Sequence, residues 1–170
     1  AQMNRNLPRV MGDSFIHLRD IDIIVEEDRP MPTLAPPTIT EVEQKIGEYC
    51  ASLVQDGDTI QLGIGGIPDA VVTFLKDKKD LGLHTEMAAD GIIDLIEAGV
   101  INNKKKTLHR GKSIATFAAG TQRLYDFLDN NPCFELHGVE HVNNPYVIAQ
   151  NDNMVSINSA IQVDLMGQVN

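Results

Sequence analysis

The stretch Thr59-Ile60-Gln61-Leu62-Gly63-Ile64-Gly65-Gly66-Ile67-Pro68-Asp69-Ala70-Val71-Val72 constrains the fold more than any other. Its first residues alternate apolar and polar, the period of a half-buried strand. Glycines at 63, 65 and 66 then break the strand. Pro68 and the apolar run behind it open a helix, because a missing N–H costs nothing in a first turn. A strand, a glycine turn and a helix N-terminus in that order leave backbone N–H groups without acceptors, and such a turn can hold negative charge. The pattern is neither a dinucleotide fingerprint nor a P-loop. Pro68 stands where G-x-G-x-x-G needs its third glycine, and no Gly-Lys-Ser/Thr follows. Taken alone, the turn fits a purely structural bend about as well as an anion cradle; the helix start behind it favours the cradle.

Strands and helices alternate around this stretch. A helix begins near Thr38 or Thr40, either of which can cap it, with Glu41 and Glu43 in its first turn. Val42, Ile46, Tyr49, Cys50, Leu53 and Val54 recur there at helical spacing, and Asp56-Gly57-Asp58 ends it. Ala70, Val71, Phe74 and Leu75 form the inner face of the next helix. Leu81–Met87 reads as a strand, followed by the Asp90-Gly91 turn and a helix through Ile92, Ile93, Leu95 and Ile96, closed by Gly99. Ser113–Ala118 is a strand, Gly120–Asp129 a helix with Leu124, Phe127 and Leu128 inward, and Phe134–Leu136 a short strand. Asn143–Asn153 is a polar turn region around Pro145. Met154–Asn158 and Ile161–Leu165 alternate strictly, as half-buried strands do. The expected class is therefore α/β, a mostly parallel sheet with helices on both faces. Ligands of such sheets sit at the carboxyl ends of strands.

Residues 1–37 differ in kind. Ser14–Leu18 and Asp22–Glu26 read as two short strands, and prolines at 30, 32, 36 and 37 make an exposed connector. The expected division is a linker with short strands over 1–37 and a compact domain over 38–170.

Composition mainly excludes. A net charge of −10 disfavours nucleic acid and anionic membrane surfaces, and few aromatics and no Trp leave no base-stacking platform. No window approaches the roughly 18 apolar residues of a membrane span. The polar start, Ala1 to Asn6, is not a signal-peptide core. Cys50 and Cys133 read as two buried free thiols in a reducing compartment, and the protein as cytoplasmic.

The candidate reacting group is Glu86, in Leu83-His84-Thr85-Glu86-Met87. His84 and Glu86 are two apart, so a strand points both to one side. Little charge lies nearby, and partial burial of Glu86 is expected. His137 and His141 have a metal-like spacing, but His137-Gly138 disfavours a helix and no third ligand of matching pattern lies near in sequence. No metal is expected. No Gly-x-Ser-x-Gly elbow or Cys–His signature supports another nucleophile. Arg110 and the lysines at 104–106 read as exposed loop residues.

At this point the residues resemble a known family. Gln61 to Ala70, Leu83 to Met87 and Asp90-Gly91 are similar to the acetyl-CoA hydrolase/transferase family, on its 4-hydroxybutyrate or butyrate–acetate CoA-transferase branch. Lys105 to His109, Tyr125-Asp126-Phe127, Ala149 to Ser159 and Gln162 to Val169 extend the likeness over nearly the whole chain. The resemblance implies the CoA-transferase (NagB/RpiA-like) fold. It also implies a truncated chain holding the interdomain link and most of the C-terminal domain, with a homo-oligomeric full-length protein. Coenzyme A enters as acyl-CoA, and the other substrate is a small carboxylic acid. Glu86 falls on the family's nucleophile, Gly63, Ile64, Gly65, Gly66 and Ile67 on its CoA-binding, oxyanion-side loop, and Ala160 near a further CoA contact. The implied reaction moves CoA between 4-hydroxybutyryl-, butyryl- or acetyl-CoA and a free acid such as acetate, through a glutamyl-CoA thioester on Glu86. Acetyl-CoA hydrolysis by the same intermediate, or a catalytically silent CoA-binding fragment, are the alternatives.

Overall fold

A computed structural model describes residues 1–170. Short strands β1 (Gln2–Met3), β2 (Met11–Gly12) and β3 (Val25–Glu26) precede helix α1 (Glu41–Leu53). The central units follow: β4 (Thr59–Leu62), α2 (Gly66–Phe74), β5 (Gly82–Leu83), β6 (Met87–Ala88), α3 (Gly91–Glu97), β7 (Ser113–Ala115), β8 (Phe117–Ala118) and α4 (Gln122–Leu128). Strand β9 (Phe134–Leu136), the short helices α5 (Val139–Val142) and α6 (Pro145–Ile148), and β10 (Met154–Ile157) complete it.

Every strand pair is parallel, as the alternation of strands and helices requires. One sheet runs β10–β4–β5 and another β2–β9–β7, and the parallel bridge His84↔Ile114 joins β5 to β7. Past that bridge β6 pairs with β8. The segment expected as one strand, Leu81–Met87, is thus interrupted at Thr85 and Glu86. It leaves one neighbour and takes another there: Thr85 N–H bonds Ile114 O, and Glu86 O accepts from Thr116 and Phe117 N–H.

Alternation along the strands sorts the helices. Ile60, Leu62 and Leu83 share one core with Ala51 and Val54 at the end of α1, Val71, Val72 and Leu75 in and just after α2, and Leu124 and Leu128 of α4. Gln61 and His84 face the other way, toward Val142 and Ile148 of α5 and α6. Helices therefore cover both faces. Burial of the fully enclosed Ile60, Leu75, Leu81, Leu83, Ile93 and Leu95 supplies the main drive, about 1.5–3 kcal/mol for each such side chain.

Helix α1 starts at Thr40, whose Oγ1 accepts Glu43 N–H while the Glu43 carboxylate accepts Thr40 N–H, a complete capping box. Most of its expected apolar stripe is turned outward: Val42, Ile46, Tyr49 and Leu53 are exposed, while Cys50 and Val54 pack inward with the buried Gly47 and Ala51. A Cβ on Gly47 would stand 2.8 Å from Ala70, so α1 meets α2 through its small residues at close range. Phe74 is likewise exposed rather than inward.

Other expectations change for want of a burying partner. Ser14–Leu18 forms no strand; Leu18–Asp20 is a single 3-10 turn capped by His17, and only Val25–Glu26 survives of the second strand. Phe15, Ile16, Leu18 and Ile23 are all exposed, so no face holds the alternation in register. Ile161–Leu165 has only the antiparallel bridge Val163↔Val169 and is exposed throughout. The polar region over 143–153 contains α6, opened by Asn144 as cap and Pro145. The proline connector is not free: Tyr125 Oη donates to Pro32 O at 2.6 Å and Leu34 N–H to Gly120 O at 2.8 Å. Both cysteines are unpaired, but Cys50 is half-buried and Cys133 exposed, against the expectation of two buried thiols. No helix is long and apolar enough to cross a membrane.

Candidate functional site

The glycine turn stands at the carboxyl end of β4, and α2 begins at Gly66. Gly65 has φ +114° and ψ −178°, a region closed to side chains, while a Cβ there would meet nothing within 4 Å. Gly63 is demanded by space instead: a Cβ would stand 2.6 Å from Asn158 Oδ1. Gly63 N–H is bonded to Ile157 O at 2.8 Å. No protein group accepts the N–H of Ile64, Gly65, Gly66 or Ile67. Ile64 and Gly65 are exposed, so these donors open outward at a helix N-terminus.

Glu86 leaves the sheet on the adjacent chain segment. Thr85, fully buried, donates its Oγ1 to Leu62 O at 3.0 Å, which ties the segment to the last residue before the turn. The Glu86 side chain is exposed, not partly buried, and makes no hydrogen bond. With its backbone held by Thr116 and Phe117 and its carboxylate free, Glu86 is fixed in position and unengaged. It lines a cavity of about 270 Å³ with Gln61, His84, Asn143, Ser156 and Asn158.

The walls of that cavity are ordered by the β4–β10 register, which sets Ser156 opposite Gln61. Asn158 Nδ2 donates to Gln61 Oε1 at 2.9 Å, and Gln61 Nε2 donates back to Asn158 Oδ1 at 3.1 Å. Asn158 therefore touches both Gly63 and the Glu86 cavity. His84 is 1% exposed and lies Nε2 to Val142 O at 2.8 Å, so Nε2 carries the proton and Nδ1 is a buried acceptor without a partner. Burial holds its pKa below the ordinary imidazole value, so His84 is neutral beside the carboxylate.

The turn and the carboxylate do not share one enclosure. Ile64 and Gly65 line a larger cavity, about 780 Å³, between the proline connector, α2 and the starts of α3 and α4. Met87 lines that one and Glu86 the other, so consecutive residues open on opposite faces of the sheet. The larger cavity carries Asp69, whose pKa burial and the neighbouring Asp90 raise, and Arg123, already paired with Asp94 and Glu97. Ala160 is exposed beyond β10 and lines neither cavity.

Two features escaped the sequence. Lys106, read as one of three solvated lysines, is 3% exposed, with Nζ donating to Leu83 O and Lys112 O, both at 2.8 Å. Burial pushes its pKa down to about 7. His109 and Glu135 also join His137 and His141, supplying ligands that no spacing near residue 137 signalled. Arg110 is exposed and spent on Lys104 O.

The C-terminal domain of the acetyl-CoA hydrolase/transferase family matches residues 120–170. Over 99% of its length the chain is 63% identical to 4-hydroxybutyrate coenzyme A transferase of Clostridium kluyveri, and covers 39% of that protein. It is 50% identical to succinyl-CoA:cyclohexane-1-carboxylate CoA transferase of Geobacter metallireducens, over 99% of this chain and 38% of that one. The crystal structure of 4-hydroxybutyrate CoA-transferase from Porphyromonas gingivalis superposes with a TM-score of 0.95 at 49% identity, covering 99% of this chain and 43% of the other. The chain thus spans well under half the length of the relatives it matches. In sequence and in backbone the chain is similar to CoA-transferases, and its residues 120–170 match the C-terminal domain of the acetyl-CoA hydrolase/transferase family.

Proposed function

We propose that this chain carries the nucleophile of a CoA-transferase that moves CoA between an acyl-CoA and a free carboxylate, with Glu86 as the group that reacts. One observation supports the reading: an unengaged carboxylate, fixed by its backbone, opens into its own cavity at the strand ends, one residue after Thr85, whose Oγ1 is tied to Leu62 just before the turn. A carboxylate nucleophile needs no neighbouring base, which suits a site without a triad. Glu86 attacks the thioester carbonyl, and the resulting oxyanion collapses to expel CoA thiolate and leave an acyl–glutamyl anhydride. The thiolate attacks the glutamyl carbonyl, freeing the first acid and forming a glutamyl-CoA thioester. An acceptor carboxylate then runs both steps in reverse. The donors of residues 64–67 open on the larger cavity, where they serve the negative charge of bound CoA.

The relatives named above act on 4-hydroxybutyrate and on succinyl-CoA with cyclohexane-1-carboxylate, as their names state. 4-Hydroxybutyryl-, butyryl- or acetyl-CoA with acetate is the substrate set this reading favours. A cytoplasmic homo-oligomer is the setting it proposes for the whole protein. The test is Glu86→Gln in the full-length enzyme. Transfer should vanish, and borohydride reduction of wild type with acyl-CoA should label Glu86 and no other residue. Transfer at wild-type rate in the variant refutes the assignment. Omitting the acceptor acid separates transferase from hydrolase, since only a hydrolase then consumes acyl-CoA continuously.

A further inference from the structure

Near the wall of the Glu86 cavity, three chain segments bring ligating side chains together. His109 comes from the loop before β7, Glu135 and His137 from the end of β9, and His141 from α5. Glu135 and His137 are two apart on an extended strand, so both point to the same side. The geometry points to a binding site for one divalent transition-metal ion of borderline softness, zinc in the first instance, held by the imidazoles of His109, His137 and His141 and the carboxylate of Glu135.

The distances carry this. Ligand atoms of His109, Glu135 and His137 all lie within 4.8 Å of one another. His141 Nε2 is 2.9 Å from His109 Nε2, and His137 Nε2 is 3.0 Å from Glu135 Oε2. A tetrahedral zinc with metal–nitrogen bonds of 2.0–2.1 Å sets its ligand atoms about 3.4 Å apart. Two ligand pairs are therefore already inside that spacing. The three imidazole centroids form a nearly equilateral triangle with sides of 5.1, 5.1 and 5.2 Å. All four residues are half-buried, so the point they enclose is partly withdrawn from water. Lys112 Nζ lies 3.2 Å from Glu135 Oε1, which orients the carboxylate and leaves Oε2 for the ion. Three imidazoles with one carboxylate suit zinc, copper or nickel over magnesium or calcium, which prefer all-oxygen sets.

His109, Glu135 and His137 form the mutually close set, and His141 reaches it through His109; with His141 as fourth ligand the shell would be closed and the ion's role structural, not that of a Lewis acid. None of the four lines the Glu86 cavity. What the ion would fix is α5, a helix of one turn that also bears Val142. Val142 and Asn143 wall that cavity, and Val142 O accepts the hydrogen bond of His84. The site pins this wall by tying α5 to β9 and to the 109 loop. It does not depend on Glu86 being the nucleophile.

The experiment uses the full-length protein, stripped with chelator and titrated with ZnCl2 and separately with CoCl2. One equivalent per chain should bind, cobalt should develop the visible bands of a four-coordinate nitrogen/oxygen site, and X-ray absorption on the zinc form should count three imidazoles. His137→Ala should weaken binding at least about 10-fold. His109→Gln, a milder change, serves if the first variant loses its fold. Glu86→Gln should bind zinc like wild type. Absence of saturable one-to-one binding, an absorption signal without imidazoles, or unchanged affinity in both histidine variants overturns the proposal and leaves the imidazoles as a hydrogen-bonded cluster.

Discussion

Gly65→Ala isolates the turn on which the functional reading leans. The added methyl meets nothing within 4 Å, so no steric contact contributes. All of the cost is backbone: φ +114° with ψ −178° is a conformation that L residues hold only at about 1–3 kcal/mol. Alanine also narrows the unfolded ensemble, which returns about 0.4–1 kcal/mol. The net loss is about 1–2 kcal/mol, taking the opposing contributions together. With a urea slope of about 2 kcal/mol/M, the unfolding midpoint should fall by roughly 0.5–1 M. Gly99→Ala is the control. It too has positive φ, at +75°, and open space around it, but it closes α3 away from the turn. Both variants should lose stability by similar amounts, read from urea unfolding by circular dichroism. Gly65→Ala alone should also lose CoA transfer in the full-length enzyme, because relaxing the strain swings the N–H groups of residues 64–67. A Gly65→Ala protein as stable as wild type would show that the turn is not held in this conformation. Equal activity in the two variants would remove the turn from the chemistry.

Further expectations concern the frame. Leu83→Ala should cost about 2–5 kcal/mol, since Leu83 is fully buried between both sheets' strands and the helices; calorimetry or urea unfolding reads it, and a loss under 1 kcal/mol would contradict the packing. Thr40→Ala removes the capping box of α1 and should cost about 1 kcal/mol by the same measurement. Lys106 gives a pH dependence with a definite sign. Its pKa is about 7 folded, against 10.5 for an ordinary lysine. Between those values the unfolded chain binds more protons, so stability should rise with pH by up to about 1.4 kcal/mol per unit. Below pH 7 both states are protonated and the penalty of burying the charge is fully present. Urea midpoints at pH 7 and pH 9 should separate for wild type and stay together in Lys106→Met; equal slopes in both would place the proton elsewhere. The neutral amine keeps two N–H donors for its two carbonyl partners, so wild type retains both bonds at the higher pH.

Several elements could be read directly because their causes are local. Thr40 with Glu43 specifies a helix start within four residues. Thr59–Leu62, the glycines and Pro68 specify a strand, a bend and a helix through backbone preference alone. The regular return of such units dictates parallel pairing, because a chain that crosses over a sheet by a helix must re-enter in the same direction. The position of Glu86 at a strand end follows from that topology.

Tertiary structure decided whatever depends on a partner distant in sequence. Periodicity announced an apolar stripe on α1, yet Gly47 against Ala70 set which side packs, and most of the stripe, Val42, Ile46, Tyr49 and Leu53, faces outward. Ile161–Leu165 alternates as well as β10 does, but only β10 finds a neighbour in β4. Lys106 looks like its solvated neighbours until the β5 carbonyl at Leu83 receives it. His109, Glu135 and His137 converge, with His141 against His109, because the order β5–β7–β9 brings their loops together, a juxtaposition no spacing in the chain encodes. Backbone preference acts over a few residues and is written in them; burial and ligation are relations between surfaces, and exist only once the sheet has set those surfaces side by side.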